Sequence, residues 1–174
     1  MKIILETERL YLREFINSDG NHFYHLNNDV DVIKYTGNDP FNSLEEANSF
    51  IEEYDDYKRN GYGRWAVCLK ETNEFVGWCG LKFENDKNVT DLGYRFYKKH
   101  WGKGYATESA IACVNYGFSK LNIERIVGRA YVENIGSIEV LKKCNLKFKE
   151  NFVYDNRAAV LYTISNDRSK KNKC

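Results

Sequence analysis

Proline is almost missing from this chain: Pro40 is the one example in 174 residues. Disordered linkers are rich in proline and poor in aromatics. Here aromatics make up 15% of the residues, with 13 tyrosines. That balance predicts a folded domain with much strand and an aromatic-lined cleft. An excess of charge is missing too, since 26 basic residues face 25 acidic ones. A net charge of +1 gives nucleic acid or an anionic membrane no electrostatic handle. No apolar run approaches the roughly 18–20 residues that span a bilayer. The opening Met1-Lys2-Ile3-Ile4-Leu5-Glu6 is too short an apolar stretch for a secretory signal. A cytoplasmic protein is expected. Metal-ligand patterns are lacking as well. The five cysteines, Cys68, Cys79, Cys113, Cys144 and Cys174, form no C-x-x-C pair. His22 and His25 are three apart, with no cysteine or carboxylate pattern to complete a site. Reduced core thiols and no metal are expected.

The length suits one domain with a proper core, placed at residues 1–166. Residues 167–174 form a basic tail, expected to be a solvated, flexible end. Leu10 and Leu12 alternate with polar neighbours over Arg9 to Phe15, which predicts a first strand. Asp19 to Asn28 reads as a helix, with a shorter one around Val30 to Tyr35. Ser43 predicts a helix cap, with Glu46 as its capping-box partner. Ala47, Phe50, Ile51 and Tyr54 share one face of that helix. Strands follow over Arg64 to Lys70, Phe75 to Phe83 and Val89 to Tyr97. Then Ala106, Ala110, Cys113, Val114, Gly117, Phe118 and Leu121 mark a long helical stripe. A strand at Glu124 to Val132 and a helix at Ile135 to Cys144 come next. Asn145 suits a left-handed C-terminal cap. Strands at Leu146 to Tyr154 and Ala158 to Ile164 close the chain. This order predicts a mixed α/β or α+β sheet with helices packed on it.

The stretch Trp101-Gly102-Lys103-Gly104-Tyr105-Ala106-Thr107-Glu108 joins a strand to the long helix. Two glycines permit a tight turn and close approach of a ligand. The free N–H groups and partial positive charge of the helix start make a phosphate cradle. A dinucleotide fold needs G-x-G-x-x-G early in a βαβ unit, whereas Thr107 stands at the third glycine position and the turn comes late. A P-loop needs G-x-x-x-x-G-K-[ST], a spacing that Gly102 and Lys103 do not give.

Trp101 to Ala106 resembles the [Arg/Gln]-x-x-Gly-x-[Gly/Ala] signature of the GNAT acetyltransferase superfamily, with Trp101 in place of Arg or Gln. The subgroup similar to ribosomal-protein N-terminal acetyltransferases commonly carries a W-G-K-G-Y-A-T-E string. Glu8-Arg9-Leu10-Tyr11-Leu12-Arg13 resembles its TERLxLR opening, and Asp91-Leu92-Gly93-Tyr94 resembles its E-I-G-Y. Asn134 to Ser137, with Leu141 to Leu146, resembles N-x-x-S-x-x-[VL]-x-x-K-x-G-F, with Asn145 and Leu146 at the last two positions. The likeness covers roughly residues 7 to 165, four motifs in order.

The resemblance implies a twisted, mixed but largely antiparallel central sheet of about seven strands, helices on both faces and one splayed strand pair. It implies acetyl-CoA as cosubstrate, no metal, and acetyl transfer by direct attack of an amine on the thioester. The pyrophosphate would lie on the backbone of Gly102, Lys103, Gly104, Tyr105, Ala106 and Thr107, beside Trp101. Tyr94 and Phe96 would offer backbone groups to the pantetheine amides. Gly93 and Gly128 are consistent with close approach. Asn134 would bind pantetheine or adjacent backbone. Ser137 would contact the sulfur, or protonate the thiolate directly or through water, or else serve as a capping hydroxyl. Asp91 is the candidate general base, with Glu14 and Glu84 open as alternatives. Leu141 stands where some relatives carry a tyrosine acid, leaving Tyr154 and Tyr162 as later possibilities. Tyr35, Trp65 and Trp78 are candidates for the acceptor pocket, or core aromatics. The acceptor is a protein N-terminal amine or a small amine. A non-catalytic acyl-CoA sensor is the competing reading. Monomer and homodimer both remain open.

Overall fold

A computed structural model describes residues 2–166. The basic tail at 167–174 lies outside the described residues. The elements are β1 (Ile3–Glu6), β2 (Leu10–Arg13), α1 (Gly20–Asn28), α2 (Val30–Ile33), α3 (Leu44–Glu52), α4 (Asp56–Asn60), β3 (Arg64–Leu69), β4 (Phe75–Glu84), β5 (Val89–Phe96), α5 (Tyr105–Ser119), β6 (Arg125–Tyr131), α6 (Ile135–Lys143), β7 (Lys147–Tyr154) and β8 (Arg157–Ser165). One sheet runs β1-β2-β3-β4-β5-β6-β8-β7. It has eight strands where about seven were expected. The extra one is β1, an edge strand too short to show an alternating pattern. The one-turn α4 was also unexpected, because Asp56–Asn60 has Tyr57 as its one aromatic residue and no apolar period.

Local rules explain most of the remainder. Ser43 caps α3, its Oγ accepting from Glu46 N–H at 3.2 Å. The capping box is not closed as expected. Glu46 Oε2 instead accepts from Asn42 N–H at 2.7 Å and from the Asn42 amide at 2.9 Å. Asn145 takes a φ of 63° after α6, the left-handed cap its side chain tolerates.

Side-chain alternation sends the two faces of the sheet into separate cores. Trp65, Val67, Cys79, Leu81, Leu92, Phe96, Ile126 and Ala130 pack with α5 and α6 through Ala110, Cys113, Val114, Ile138 and Leu141. Tyr11, Ala66, Cys68 and Phe75 pack on the other face with Phe23 of α1 and Ala47 and Ile51 of α3. Of the expected α3 face, Phe50 remains 43% exposed, with its ring 5.6 Å from that of Phe23.

Among the described residues, every neighbouring strand pair is antiparallel except β5 and β6. Those two strands pair only at Thr90↔Ile126 and Asp91↔Val127. Beyond Asp91 the ladder stops, and β5 and β6 part. The sheet opens there between two differently lined faces. Leu92, Phe96 and Ala130 look toward α5 and α6. Alternation turns Asp91, Arg95, Arg129 and Tyr131 to the face carrying α1 and α3.

Candidate active site

The turn before α5 is left-handed at both glycines, with φ of 74° at Gly102 and 83° at Gly104. An L-residue pays about 1–2 kcal/mol there, which is why glycine occupies both positions. Gly104 is the N-cap of α5 and provides no side-chain cap. Its carbonyl accepts from Glu108 N–H at 2.9 Å. The amides of Gly102 through Thr107 have no hydrogen-bond partner among the described residues. A run of free N–H groups at the start of a 15-residue helix fits a pyrophosphate. Lys103 is exposed and adjoins that run.

Two side chains lock this turn in place. Glu108 accepts from the Thr7 hydroxyl at 2.6 Å, Arg9 N–H at 2.9 Å and Arg9 Nε at 2.7 Å. Arg9 also donates to Lys103 O at 3.0 Å, and its guanidinium lies 4.8 Å from the Tyr105 ring centre. Burial would raise the Glu108 carboxyl, but the Thr7 and Arg9 bonds outweigh it and hold its pKa below the ordinary value. The opening motif therefore clamps the start of α5, a role the sequence reading did not assign to Arg9 or Glu108.

Trp101 ties the same turn to β5. Its indole N–H donates to Phe96 O at 2.8 Å. Tyr97 N–H donates across to Val76 O of β4 at 3.1 Å, so alternation turns the main chain of Phe96 and Tyr94 toward the open side. The expectation for Phe96 is corrected in part: its carbonyl is taken by Trp101, leaving its N–H for a ligand. Tyr94 keeps both of its groups there.

On the α5–α6 face, Tyr94 and Ser137 meet. Their hydroxyl oxygens are 2.8 Å apart, and Tyr94 O–H also lies 3.0 Å from Ser137 O. Burial pushes the Tyr94 phenol well above its usual value, against the opposing effect of Ser137. Asn134, not Ser137, caps α6. Its Oδ1 accepts from Ser137 N–H at 3.1 Å, which is the adjacent-backbone alternative. The Ser137 hydroxyl is thereby freed from capping and held at the opening by Tyr94.

On the opposite face, Asp91 stands at the last paired register before the opening. Its Oδ2 is 2.5 Å from Arg64 Nη2 and its Oδ1 is 3.1 Å from Arg129 Nη1. Burial raises the Asp91 carboxyl above its ordinary value, with both guanidinium groups opposing it. Arg129 also reaches Glu84 at 3.0 Å. Glu14 is held by Lys2 at 2.6 Å. Trp78 pairs across the strands with Arg95. Two guanidinium carbons, of Arg64 and Arg95, lie 5.6 and 5.4 Å from its ring centre. The loop at 34–38 covers this face: Asn38 Oδ1 accepts from Arg95 Nη2 at 2.9 Å. Tyr35 in that loop is half-buried under Lys34.

The aromatic candidates separate. Trp65 is 1% exposed in the core, its ring edge-on to Tyr116 on the α5 face. It is a core residue and does not join Trp78 or Tyr35. Tyr162 is core, edge-on to Phe148, and Tyr154 packs with Tyr131 at the hairpin of β7 and β8. Gly93 and Gly128 answer to packing: an added Cβ would lie 2.6 Å from Arg64 Nη2 at Gly93 and would strike Leu141 at Gly128. The four described cysteines are buried, and burial lifts the Cys144 thiol to about 12. None offers a thiolate nucleophile to the opening. No group of three or more metal-ligating side chains occurs among the described residues.

The family model described as an acetyltransferase (GNAT) domain matches residues 9–147. The chain belongs to the GNAT acetyltransferase family. An uncharacterized N-acetyltransferase p20 of Bacillus licheniformis is 33% identical over 153 residues, covering 87% of this chain and 85% of that one. A GNAT-family acetyltransferase crystal structure from Bacillus anthracis superposes with a TM-score of 0.82 at 27% identity, covering 95% of this chain and 99% of that one. The fold also matches spermidine N-acetyltransferase from Vibrio cholerae, solved with CoA and spermine, at a TM-score of 0.77 and 21% identity over 92% and 97% of the two chains. This GNAT acetyltransferase therefore combines a run of helix-start amides without protein partners, an opened strand pair and hydroxyl and carboxylate groups on opposite faces of the opening.

Proposed function

We propose that this chain transfers an acetyl group from acetyl-CoA to a primary amine, either a small molecule or a peptide N-terminus. The observation that carries the reading is the run of unpartnered amides at Gly102–Thr107 beside the place where β5 and β6 part. Acetyl-CoA supplies an activated acetyl group: the amine nitrogen bonds to the carbonyl carbon and the C–S bond breaks. The chain's residues position the reactants and move two protons.

The cradle amides hold the pyrophosphate, with Lys103 adding positive charge. Tyr94 and the Phe96 N–H pair with the pantetheine amides along the β5 edge. The acceptor enters from the Trp78 and Asn38 face. An alkyl ammonium near pKa 10 must lose a proton before it attacks. Asp91 takes that proton through water, because both of its oxygens already receive arginine bonds and a carboxyl raised by burial is a better base. Tyr94 O–H donates to the Ser137 carbonyl, and its oxygen lies 2.8 Å from Ser137 Oγ; the serine hydroxyl passes its hydrogen to the departing sulfur and recovers a proton from water. No covalent enzyme intermediate is needed, since the thioester is already activated toward direct attack by the amine.

The test is free-thiol release from acetyl-CoA in the presence of amines and peptides. Turnover that requires the amine supports the reading. Tight acetyl-CoA binding with no amine-dependent release across a broad panel sinks it.

A further inference from the structure

We infer that the amine acceptor also carries a carboxylate, which Arg95 and the neighbouring Trp78 indole N–H receive. The inference rests on the proposed amine acetylation and adds the chemical class of the acceptor.

The charges on the acceptor face do not balance at Arg95. Arg64 and Arg129 both meet Asp91, and Arg129 also meets Glu84. Lys87 meets Glu84 as well, Arg157 meets Glu133, and Lys98 meets Asp31. Among the described residues Arg95 touches no carboxylate. Its one hydrogen bond is from Nη2 to the neutral Asn38 amide oxygen at 2.9 Å. Its Nε is buried without a partner, and so is the Trp78 indole nitrogen on the paired strand position. Buried donors in native proteins are almost always satisfied. Two orphaned donors on cross-strand partner residues, one of them on a cation, are what an anionic acceptor would satisfy.

Position supports the same assignment. Arg95 projects from β5 on the face of Asp91, four residues further along the unpaired stretch. Tyr131 stands on the β6 side of the opening, and its hydroxyl is also buried and unpartnered. The loop at 34–38 lies over the same face, with Asn38 on Arg95 and Gly37 against the Tyr131 hydroxyl and the Tyr154 ring. Burial and the charge of Arg64 lower the Arg95 pKa to about 10, so the group is still a cation at neutral pH and repels other cations. A guanidinium binds a carboxylate with directional, charge-assisted bonds. A polyamine would bring like charge to this place.

The experiment compares L-amino acids with their carboxamides, simple dipeptides and spermidine as acceptors, using the wild type, Arg95→Gln and Arg95→Lys. Carboxylates are expected to exceed their carboxamides in kcat/KM by about 10–100-fold, the range for a hydrogen bond to a charged group. Arg95→Gln should collapse that ratio, mainly through KM, and Arg95→Lys should restore part of it. Free amino acids and dipeptides separate a carboxylate next to the amine from one further away. Equal use of carboxamides, preference for spermidine, or an unchanged ratio in Arg95→Gln overturns the inference. A second readout is independent of turnover: calorimetric titration of succinate into the coenzyme A complex. Binding that weakens about tenfold in Arg95→Gln supports the inference, and absence of binding to a folded wild-type complex overturns it. If succinate binds while no amine is acetylated, the acetyl-transfer reading fails and the anion site stands.

Discussion

Replacing Gly104 with alanine separates a backbone cost from a ligand-binding cost. Gly104 has a φ of 83°, and an added Cβ would lie 3.3 Å from Arg9 Nη2. That atom is 2.6 Å from Glu108 Oε2, so it needs to give by only a few tenths of an ångström without leaving its ion pair. The stability cost is therefore mostly the left-handed backbone, about 1–2 kcal/mol. For a chain of this size that lowers Tm by about 2–8 °C. Gly61 provides the control: its φ is 77°, nothing lies within 4 Å of an added Cβ, and it is remote from the cradle. Gly61→Ala should lower Tm by a similar amount. The two variants should part in acetyl-CoA affinity. If Gly104 relaxes or its methyl meets the ligand, one charge-assisted N–H bond is lost, worth about 1.5–3 kcal/mol. Kd should rise about 10–100-fold in Gly104→Ala and stay at the wild-type value in Gly61→Ala. Calorimetry supplies Kd and a thermal melt supplies Tm. Equal affinities in the two variants, at equal Tm, would refute the placement of the pyrophosphate on this turn.

Three further outcomes are expected. Asp91→Asn should lower kcat/KM by about 10²–10⁴ and remove the rise in rate as pH climbs through the Asp91 pKa; a retained acidic limb in a pH–rate profile would exclude Asp91 as the base. Ser137→Ala and Tyr94→Phe should each lower kcat more than they raise KM, with a double variant no worse than about the stronger single one, because the hydroxyls act as a unit; fully additive losses in steady-state kinetics would count against the pair. Glu108→Gln should cost about 1–3 kcal/mol of stability through its Thr7 and Arg9 bonds. The folded Glu108 pKa lies below its ordinary value, so its stabilisation is fully present above the ordinary carboxyl pKa and fades as pH falls through the folded one. Denaturant melts should show wild type and variant converging in acid, and a gap that widens there would contradict the sign.

Much of this architecture is legible in the order of residues. The Ala110, Cys113, Val114 and Gly117 stripe is buried along α5 as its spacing demands, and the glycine turn precedes it. Helix period and turn chemistry are local, so a sequence exposes them directly. The face assignments are not local. Trp65 and Trp78 look alike on paper, yet their strand positions send one to the α5 core and leave the other between two arginines. Arg64 and Asp91 are 27 residues apart, and Arg129 and Asp91 are 38 apart. Only the register of β3, β4, β5 and β6 brings them together. Arg95 gave one signal that could have been read: it is the one basic residue in β5, flanked by Tyr94 and Phe96. Its significance appears only when Asp91, Glu84, Glu133 and Asp31 prove to be engaged with other cations.

The most direct test of the central claim is the identity and stoichiometry of the product. Acetyl-labelled acetyl-CoA is incubated with the protein and an accepted amine, and the amine, the free coenzyme A and the protein are each weighed by mass spectrometry. The account predicts one acetyl group on the amine for each coenzyme A released, and none retained on the protein. Thioester hydrolysis without an acetylated amine, or label held covalently on the chain, would contradict it.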